Sequence, residues 1–187
     1  MLLFVVGKTS CGKDTIARYI RDNYDFGIVC SYVDRPMRKG EVNGREHWFV
    51  SKEEMDELFD REDVIGRVKF DYGIRACALG SELKDSDMIY IIDPAGIDWY
   101  KKESKLQVPF HALYVYLPED IIYERAKLRG DNLDAVTKRL DGERNLFDTY
   151  YNNHEWDYCI NTEQGLIDTY EQVNNFMESM GYKRKGA

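Results

Sequence analysis

The sequence predicts an α/β fold in which a doubly wound parallel sheet carries helices on both faces. Short apolar runs, of the length of buried strands, alternate along the chain with segments in which apolar residues recur every three or four positions. The 187 residues are enough for one domain with a buried core, and they contain no internal repeat or low-complexity tract. Because open sheets of this kind bind ligands at the carboxyl ends of their strands, functional side chains are expected there.

The chain begins with a predicted strand, a glycine-containing loop and a helix. Residues 2–6 are a continuous apolar run, typical of a central parallel strand that is buried on both faces. The segment DTIARYIRD follows the loop and places Ile16, Ala17 and Ile20 on one helical face. The opening run has only six apolar residues and no basic leader, so neither a signal peptide nor a membrane span is predicted.

Three further strands are predicted at 87–93, 111–117 and 156–161. Pro118 ends the second of these and leads into a helix, and an amphipathic helix from about 163 to 180 follows the third. The stretch from 31 to 81 interrupts the alternation because it is glycine-rich, polar and strand-like. It is interpreted as a lobe inserted into the sheet domain.

The distribution of charge favours a small anionic ligand over a long nucleic acid. The chain has 26 basic and 34 acidic residues and a formal net charge of −8, whereas a nucleic-acid surface needs a basic stripe. The basic residues are concentrated at 35–45 and 125–144. These two segments indicate local cationic pockets, although solvated helix faces remain an alternative interpretation.

The cysteine pattern favours a reducing compartment. Cys11, Cys30, Cys77 and Cys159 lie far apart and form no C-x-x-C pair. Neither a disulfide framework nor a zinc site is therefore expected. A cytoplasmic location is expected instead.

The segment VVGKTSCGKDT contains a phosphate-binding loop. Gly7, Gly12 and Lys13 match the pattern G-x-x-x-x-G-K between a strand and a helix, which is the context that the motif requires. Glycines let the backbone N–H groups turn inward around phosphate oxygens, and the helix presents its positive end to them. The motif predicts nucleoside triphosphate binding, with Lys13 reaching the β- and γ-phosphates.

Asp14 occupies the position at which this loop usually has a serine or threonine that binds Mg²⁺. Two interpretations stay open: Asp14 contributes to the metal site, with the Thr15 hydroxyl one position later, or it only stabilises the first turn of the helix.

The segment SYVDRPMRKGEVNGREHWFVS, residues 31–51, resembles the signature of the guanylate kinase family. The resemblance continues in the family's order through FDYG, IIDPAG, ERAKLRG, TKRL and DYCIN, and covers nearly the whole chain. It implies a P-loop NTPase fold in one domain with an acceptor-binding lobe and a small helical lid. The implied division is a core of 1–30, 81–124 and 146–187, a lobe of 31–80 and a lid of 125–145.

The resemblance implies an enzyme that uses ATP and Mg²⁺ to phosphorylate a nucleoside monophosphate, most simply GMP. The implied catalytic residues are Lys13, Arg125, Arg129 and Arg139. ATP is expected to contact Gly7, Cys11, Gly12, Lys13, Asp14, Thr15 and Asn161. The acceptor is expected to contact Ser31, Arg35, Arg38, His47, Tyr72 and Asp93. Asp14, Thr15 and Asp93 are the candidate Mg²⁺ ligands. Small-molecule nucleotides are the expected partners, with no nucleic acid, membrane or obligate protein partner.

The chain departs from the family pattern where the family recognises the base. His47 replaces a tyrosine, Ile74 replaces a serine or threonine, and Gly66 stands where the guanine-binding glutamate is expected. Glu62, Asp63 or Asp71 is a candidate to compensate for that glutamate, and the lid is about one residue shorter between Arg129 and Arg139. Two alternatives therefore stay open: a kinase of the same fold for another nucleotide or a phosphorylated sugar, and a non-catalytic binding module.

Overall fold

The computed structural model describes residues 1–38, 40–70, 73–84 and 86–186. Within these ranges the strands are β1 (Leu2–Val6), β2 (Phe26–Ile28), β3 (Tyr32–Val33), β4 (Trp48–Phe49), β5 (Val64–Lys69), β6 (Arg75–Leu79), β7 (Asp87–Ile91), β8 (Phe110–Tyr116) and β9 (Tyr158–Asn161). The helices are α1 (Lys13–Asn23), α2 (Lys52–Phe59), α3 (Pro94–Glu103), α4 (Glu119–Arg129), α5 (Leu133–Asn152) and α6 (Leu166–Ser179).

The larger sheet has the order β2-β7-β1-β8-β9 and all its strands are parallel. β1 lies at its centre, and every residue of that strand is fully buried. This confirms the predicted α/β class with a central first strand. Because the strands are parallel, the segments after β1, β7, β8 and β9 meet at one edge of the sheet.

The helices cover both faces of this sheet, as predicted. On one face, α1, α4 and α6 pack over Leu3 and Val5, and Tyr19 of α1 stacks on Tyr170 of α6. On the other face, α3 and the C-terminal part of α5 pack over residues that include Phe4, whose ring contacts Tyr100 edge to face. None of the helices in the described part of the chain is long and apolar enough to span a bilayer.

A second, smaller sheet with the order β4-β3-β6-β5 forms between β2 and β7 in sequence. Helix α2 packs against this sheet, and it was not predicted because the stretch 31–81 was interpreted as strand-like. Ser51 caps this helix: its hydroxyl accepts the N–H of Glu54, and the Glu54 carboxylate accepts the N–H of Ser51. This reciprocal pair satisfies two N–H groups that the first helical turn leaves free.

Candidate active site

The loop between β1 and α1 folds around its own lysine. Lys13 Nζ donates hydrogen bonds of 2.7 Å to the carbonyl oxygens of both Gly7 and Lys8. A Cβ atom at Gly7 would lie 2.4 Å from the carbonyl oxygen of Val115, so a larger residue does not fit. Gly12 has a φ of 106°, in the left-handed region that favours glycine. The geometry thus explains why the loop has glycine at these two positions.

The loop already holds an anionic oxygen. The N–H of Thr9 donates a 2.6 Å hydrogen bond to Oε2 of Glu143, which α5 brings to the loop. A carboxylate oxygen at this N–H shows that the loop presents a donor to negative charge beside the N-terminus of α1. This part of the loop therefore fits a nucleotide phosphate.

Each of the three arginines predicted as catalytic contacts a loop residue, either directly or through one intermediate residue. Arg129 donates a 2.9 Å hydrogen bond to the hydroxyl of Ser10. Arg139 lies 3.6 Å from Glu143, the residue that accepts the Thr9 N–H. The third arginine, Arg125, bonds to Thr162, whose hydroxyl in turn bonds to the carbonyl oxygen of Cys11. The structure therefore places the guanidinium groups around Thr9, Ser10 and Cys11.

Thr162 links the end of β9 to this loop and was not predicted as a site residue. It is 4% exposed, and its Oγ1 donates a 2.9 Å hydrogen bond to the carbonyl oxygen of Cys11. The neighbouring Asn161 was predicted to contact adenine. Its Oδ1 accepts the N–H of Glu163, and its backbone bonds to the side-chain amide of Gln172. Asn161 therefore lies at the end of β9 with its side chain engaged in a local turn.

Ser31 and His47 form the side of the site that was predicted to bind the acceptor. The Ser31 hydroxyl lies 2.9 Å from Nδ1 of His47. Burial lowers the pKa of His47, and the positive charge of Arg35 lowers it further, whereas the negative charge of Asp14 opposes this shift. The influence of Asp14 shows that the phosphate-binding loop and the His47 ring lie within electrostatic reach of each other.

Arg35 is held by an acidic partner. Its two terminal nitrogens bond to the two carboxylate oxygens of Glu41 at 2.8 and 2.7 Å, and its guanidinium lies over the Phe49 ring. Glu41 also accepts the backbone N–H of Arg38 at 2.7 Å. These bonds lower the pKa of Glu41 to about 2. Glu41 thereby fixes Arg35 and the backbone of Arg38 together, while the Arg38 side chain is exposed.

Asp93 stands two residues beyond β7, where the sequence had predicted that the strand would continue. Its Oδ1 accepts the N–H of Gly96 at 2.6 Å and caps α3. The strand ends at Ile91 because capping requires the chain to turn into the helix. Burial raises the pKa of Asp93, the negative charge of Glu143 raises it further, and the positive charge of Lys13 lowers it.

The candidate metal ligands fit a cation that is held mainly by phosphate. Asp14 is exposed in the first turn of α1 and Thr15 is half-buried beside it. Within residues 1–38, 40–70, 73–84 and 86–186, no three His, Cys, Asp or Glu side chains form a metal-binding group. Mg²⁺ commonly uses one or two carboxylates together with phosphate oxygens and water, and these residues suit that arrangement. Tyr72, a predicted acceptor ligand, lies outside the described residues.

Comparison with known proteins identifies the family of this chain. A sequence model described as guanylate kinase matches residues 1–180 of the chain. The chain belongs to the guanylate kinase family. It is 26% identical over 196 residues to a guanylate kinase of Maricaulis maris, covering 98% of this chain and 85% of that protein. It is 31% identical over 150 residues to a guanylate kinase of Schizosaccharomyces pombe, covering 75% and 72%.

A solved guanylate kinase structure shares the fold. The crystal structure of guanylate kinase from Anaplasma phagocytophilum superposes with a TM-score of 0.69 at 17% identity, covering 100% of this chain and 90% of that one. At this identity the likeness concerns the fold alone. It agrees with the parallel sheet and flanking helices described above.

This member of the guanylate kinase family has no room for a side chain at Gly66. A Cβ atom there would lie 2.8 Å from both Cε1 and the hydroxyl oxygen of Tyr90, whose ring is buried. Of the residues considered as replacements, Glu62 pairs with Lys105, and Asp63 pairs with Arg61. A third, Asp71, lies outside the described residues. Tyr90 thus fills the space next to the position at which the family pattern predicts a glutamate.

Two site residues that sequence reasoning missed, Glu143 and Thr162, depend on long-range contacts. Glu143 is 134 residues from Thr9, and Thr162 is 151 residues from Cys11. Glu143 follows the TKRL motif within one helical turn, and Thr162 directly follows the DYCIN motif. Their closeness in sequence to these two motifs was the one signal that could have identified them as site residues.

Proposed function

We propose that this protein transfers the γ-phosphoryl group of ATP to GMP and forms ADP and GDP. The observation that carries the proposal is the family match over residues 1–180, which includes the phosphate-binding loop and the segment from Ser31 to Val50. The relatives described above are named guanylate kinases. These names favour phosphorylation of GMP over that of another nucleotide or a phosphorylated sugar, and over a non-catalytic binding module.

On the donor side, the loop from Gly7 to Thr15 would bind the ATP phosphates through its N–H groups and Lys13. The lysine ammonium lies 2.7 Å from two carbonyl oxygens of the loop, which supports a role beside the phosphates. Arg125, Arg129 and Arg139 would surround the transferring group, where guanidinium groups stabilise developing negative charge. Phosphoryl transfer of this type depends on positioning and electrostatics and needs no covalent enzyme intermediate.

On the acceptor side, Ser31, Arg35, Arg38 and Tyr72 would bind the phosphate of GMP, with His47 and Asp93 completing the acceptor contacts. The Glu41 carboxylate would orient Arg35, because it accepts two parallel hydrogen bonds from that guanidinium. Asp14, Thr15 and Asp93 would hold Mg²⁺ together with ATP. The metal supplies positive charge that offsets the charge of the β- and γ-phosphates.

We further propose that residues 31–80 act as the acceptor-binding lobe and 125–145 as a lid on a core of 1–30, 81–124 and 146–187. Closure of the lid would keep water from the phosphoryl group.

The four cysteines are free in the part of the chain that the structure describes, which supports a reducing, cytoplasmic location.

A coupled assay of ADP release tests this proposal. The purified protein is supplied with Mg-ATP and one of GMP, dGMP, AMP, CMP, UMP, dTMP or ribose phosphates. We expect GMP to give the highest kcat/KM. A clear preference for another acceptor, or turnover with none of them, would contradict the assignment.

A further inference from the structure

Glu143 reaches the phosphate-binding loop from the middle of α5. Its Oε2 accepts the N–H of Thr9 at 2.6 Å, and its Oε1 lies 3.6 Å from Nη2 of Arg139, one helical turn earlier. The Glu143 side chain is 17% exposed. One carboxylate thus accepts a hydrogen bond from the loop and forms an ion pair with a proposed catalytic arginine at the same time.

The negative charge of Glu143 extends into the cleft. It raises the pKa of Asp93 beyond the effect of burial, and it also contributes to the raised pKa of Cys11 in the loop. Glu143 is therefore within electrostatic reach of both the loop and the end of β7, where the reacting phosphates are proposed to lie.

A phosphate oxygen and the Glu143 carboxylate compete for the same donor. The Thr9 N–H carries one hydrogen, and a carboxylate beside a triphosphate is repelled by it. A phosphate oxygen of ATP can take the Thr9 N–H only after Glu143 has left it.

We propose that Glu143 is a displaceable positioning residue, which occupies the Thr9 donor and holds Arg139 until the phosphates of a nucleotide take that donor. Displacement frees Arg139 at the moment when the phosphates arrive. In the described structure, Nε of Arg139 is buried without a hydrogen-bond partner, so this guanidinium has unused capacity to donate. The inference rests on the proposed function, since it takes the incoming anion to be the phosphate chain of ATP.

The test compares dissociation constants for Mg-ATP and for pyrophosphate, which contains phosphates without a base, by calorimetry in the absence of an acceptor. Glu143→Gln keeps the shape of the side chain and removes its charge, and Glu143→Ala removes the competing oxygen. Both variants are expected to bind both ligands at least about fivefold more tightly than the wild-type protein. Damage to the fold weakens binding, so tighter binding separates this role from a structural one.

Asp141→Asn is the matched control. It removes one negative charge from the same helix, and Asp141 bonds to Arg144 instead of the loop. Its dissociation constants are expected to stay within about twofold of wild type, since an exposed charge of this kind is screened.

The outcomes separate this inference from the proposed function. Unchanged or weaker binding by both Glu143 variants would overturn the inference and leave the kinase assignment intact. Tighter binding without turnover of GMP would support the inference and contradict the kinase assignment. If neither wild-type protein nor variants bind Mg-ATP or pyrophosphate, both are overturned.

Discussion

Ser31 and His47 are joined by a 2.9 Å contact between Oγ and Nδ1 at the edge of the smaller sheet. The pKa of His47 is lowered by burial and by the charge of Arg35, so the ring is neutral at pH 7. In the tautomer with the proton on Nε2, the Ser31 hydroxyl donates to Nδ1 and leaves Nε2–H as a donor. His47 thus presents a hydrogen-bond donor at the position where the family pattern has a tyrosine.

His47→Phe is expected to raise the KM for GMP about tenfold and to leave the KM for ATP unchanged. The substitution removes the Nε2–H donor and the partner of Ser31 but keeps an aromatic ring. Steady-state kinetics with each substrate varied in turn measure both constants. His111→Gln, at the start of β8, is the control. An equal rise in both KM values would rule out an acceptor-side role for His47.

Arg38→Ala is expected to weaken the use of GMP far more than the binding of ATP. The Glu41 carboxylate fixes the Arg38 backbone next to Arg35, and guanidinium groups suit phosphate oxygens. Kinetics with GMP and calorimetry with Mg-ATP provide the two measurements. Arg45→Ala removes an exposed arginine, which pairs with Glu46, and is expected to change neither. Equal losses for both substrates would refute the assignment of Arg38 to the acceptor side.

Glu41 is expected to make stability depend on pH in the acid range. Its pKa falls from 4.5 to about 2 on folding, chiefly because of the hydrogen bonds from Arg35. A lowered carboxyl pKa stabilises the folded state above pH 4.5, and this stabilisation is lost as pH falls through 4.5 towards 2. It amounts to at most about 3 kcal/mol, with Glu41 17% exposed.

Urea unfolding between pH 7 and pH 3 measures this contribution. Glu41→Gln is expected to have a lower free energy of unfolding at pH 7 and a shallower decline below pH 4.5. Glu124→Gln, on the exposed side of α4, is the control and should retain the wild-type slope. The same slope in Glu41→Gln and wild type would show that Glu41 is not the titrating group.

Thr162→Val is expected to lower the free energy of unfolding by about 1–3 kcal/mol and to weaken ATP binding. The hydroxyl of this buried residue donates to the carbonyl oxygen of Cys11, and valine of similar size leaves that oxygen without this partner. Chemical denaturation and calorimetry measure the two effects. Thr162→Ser retains the hydroxyl and should lose less of both. Equal losses in the two variants would assign the effect to packing.

The first strand and the first helix were predictable from sequence because their signals are local. The apolar run 2–6 and the glycine loop before α1 are contiguous, and the structure has β1 and α1 there. Helix α2 was missed although Ser51 and Glu54 have the spacing of a capping box, because its polar, glycine-flanked surroundings indicated strands. The contacts of Glu143 with Thr9 and of Tyr90 with Gly66 could not be predicted, since they arise when distant segments pack.

The close approach of Gly66 and Tyr90 constrains how the chain can vary. A carboxylate side chain at position 66 would clash with the Tyr90 ring. This single substitution therefore lowers the stability of the fold, whatever its effect on base recognition. A smaller residue at position 90 alone leaves a void between the two sheets. The effects of substitutions at the two positions are therefore coupled. A side chain at position 66 fits only together with a smaller residue at position 90.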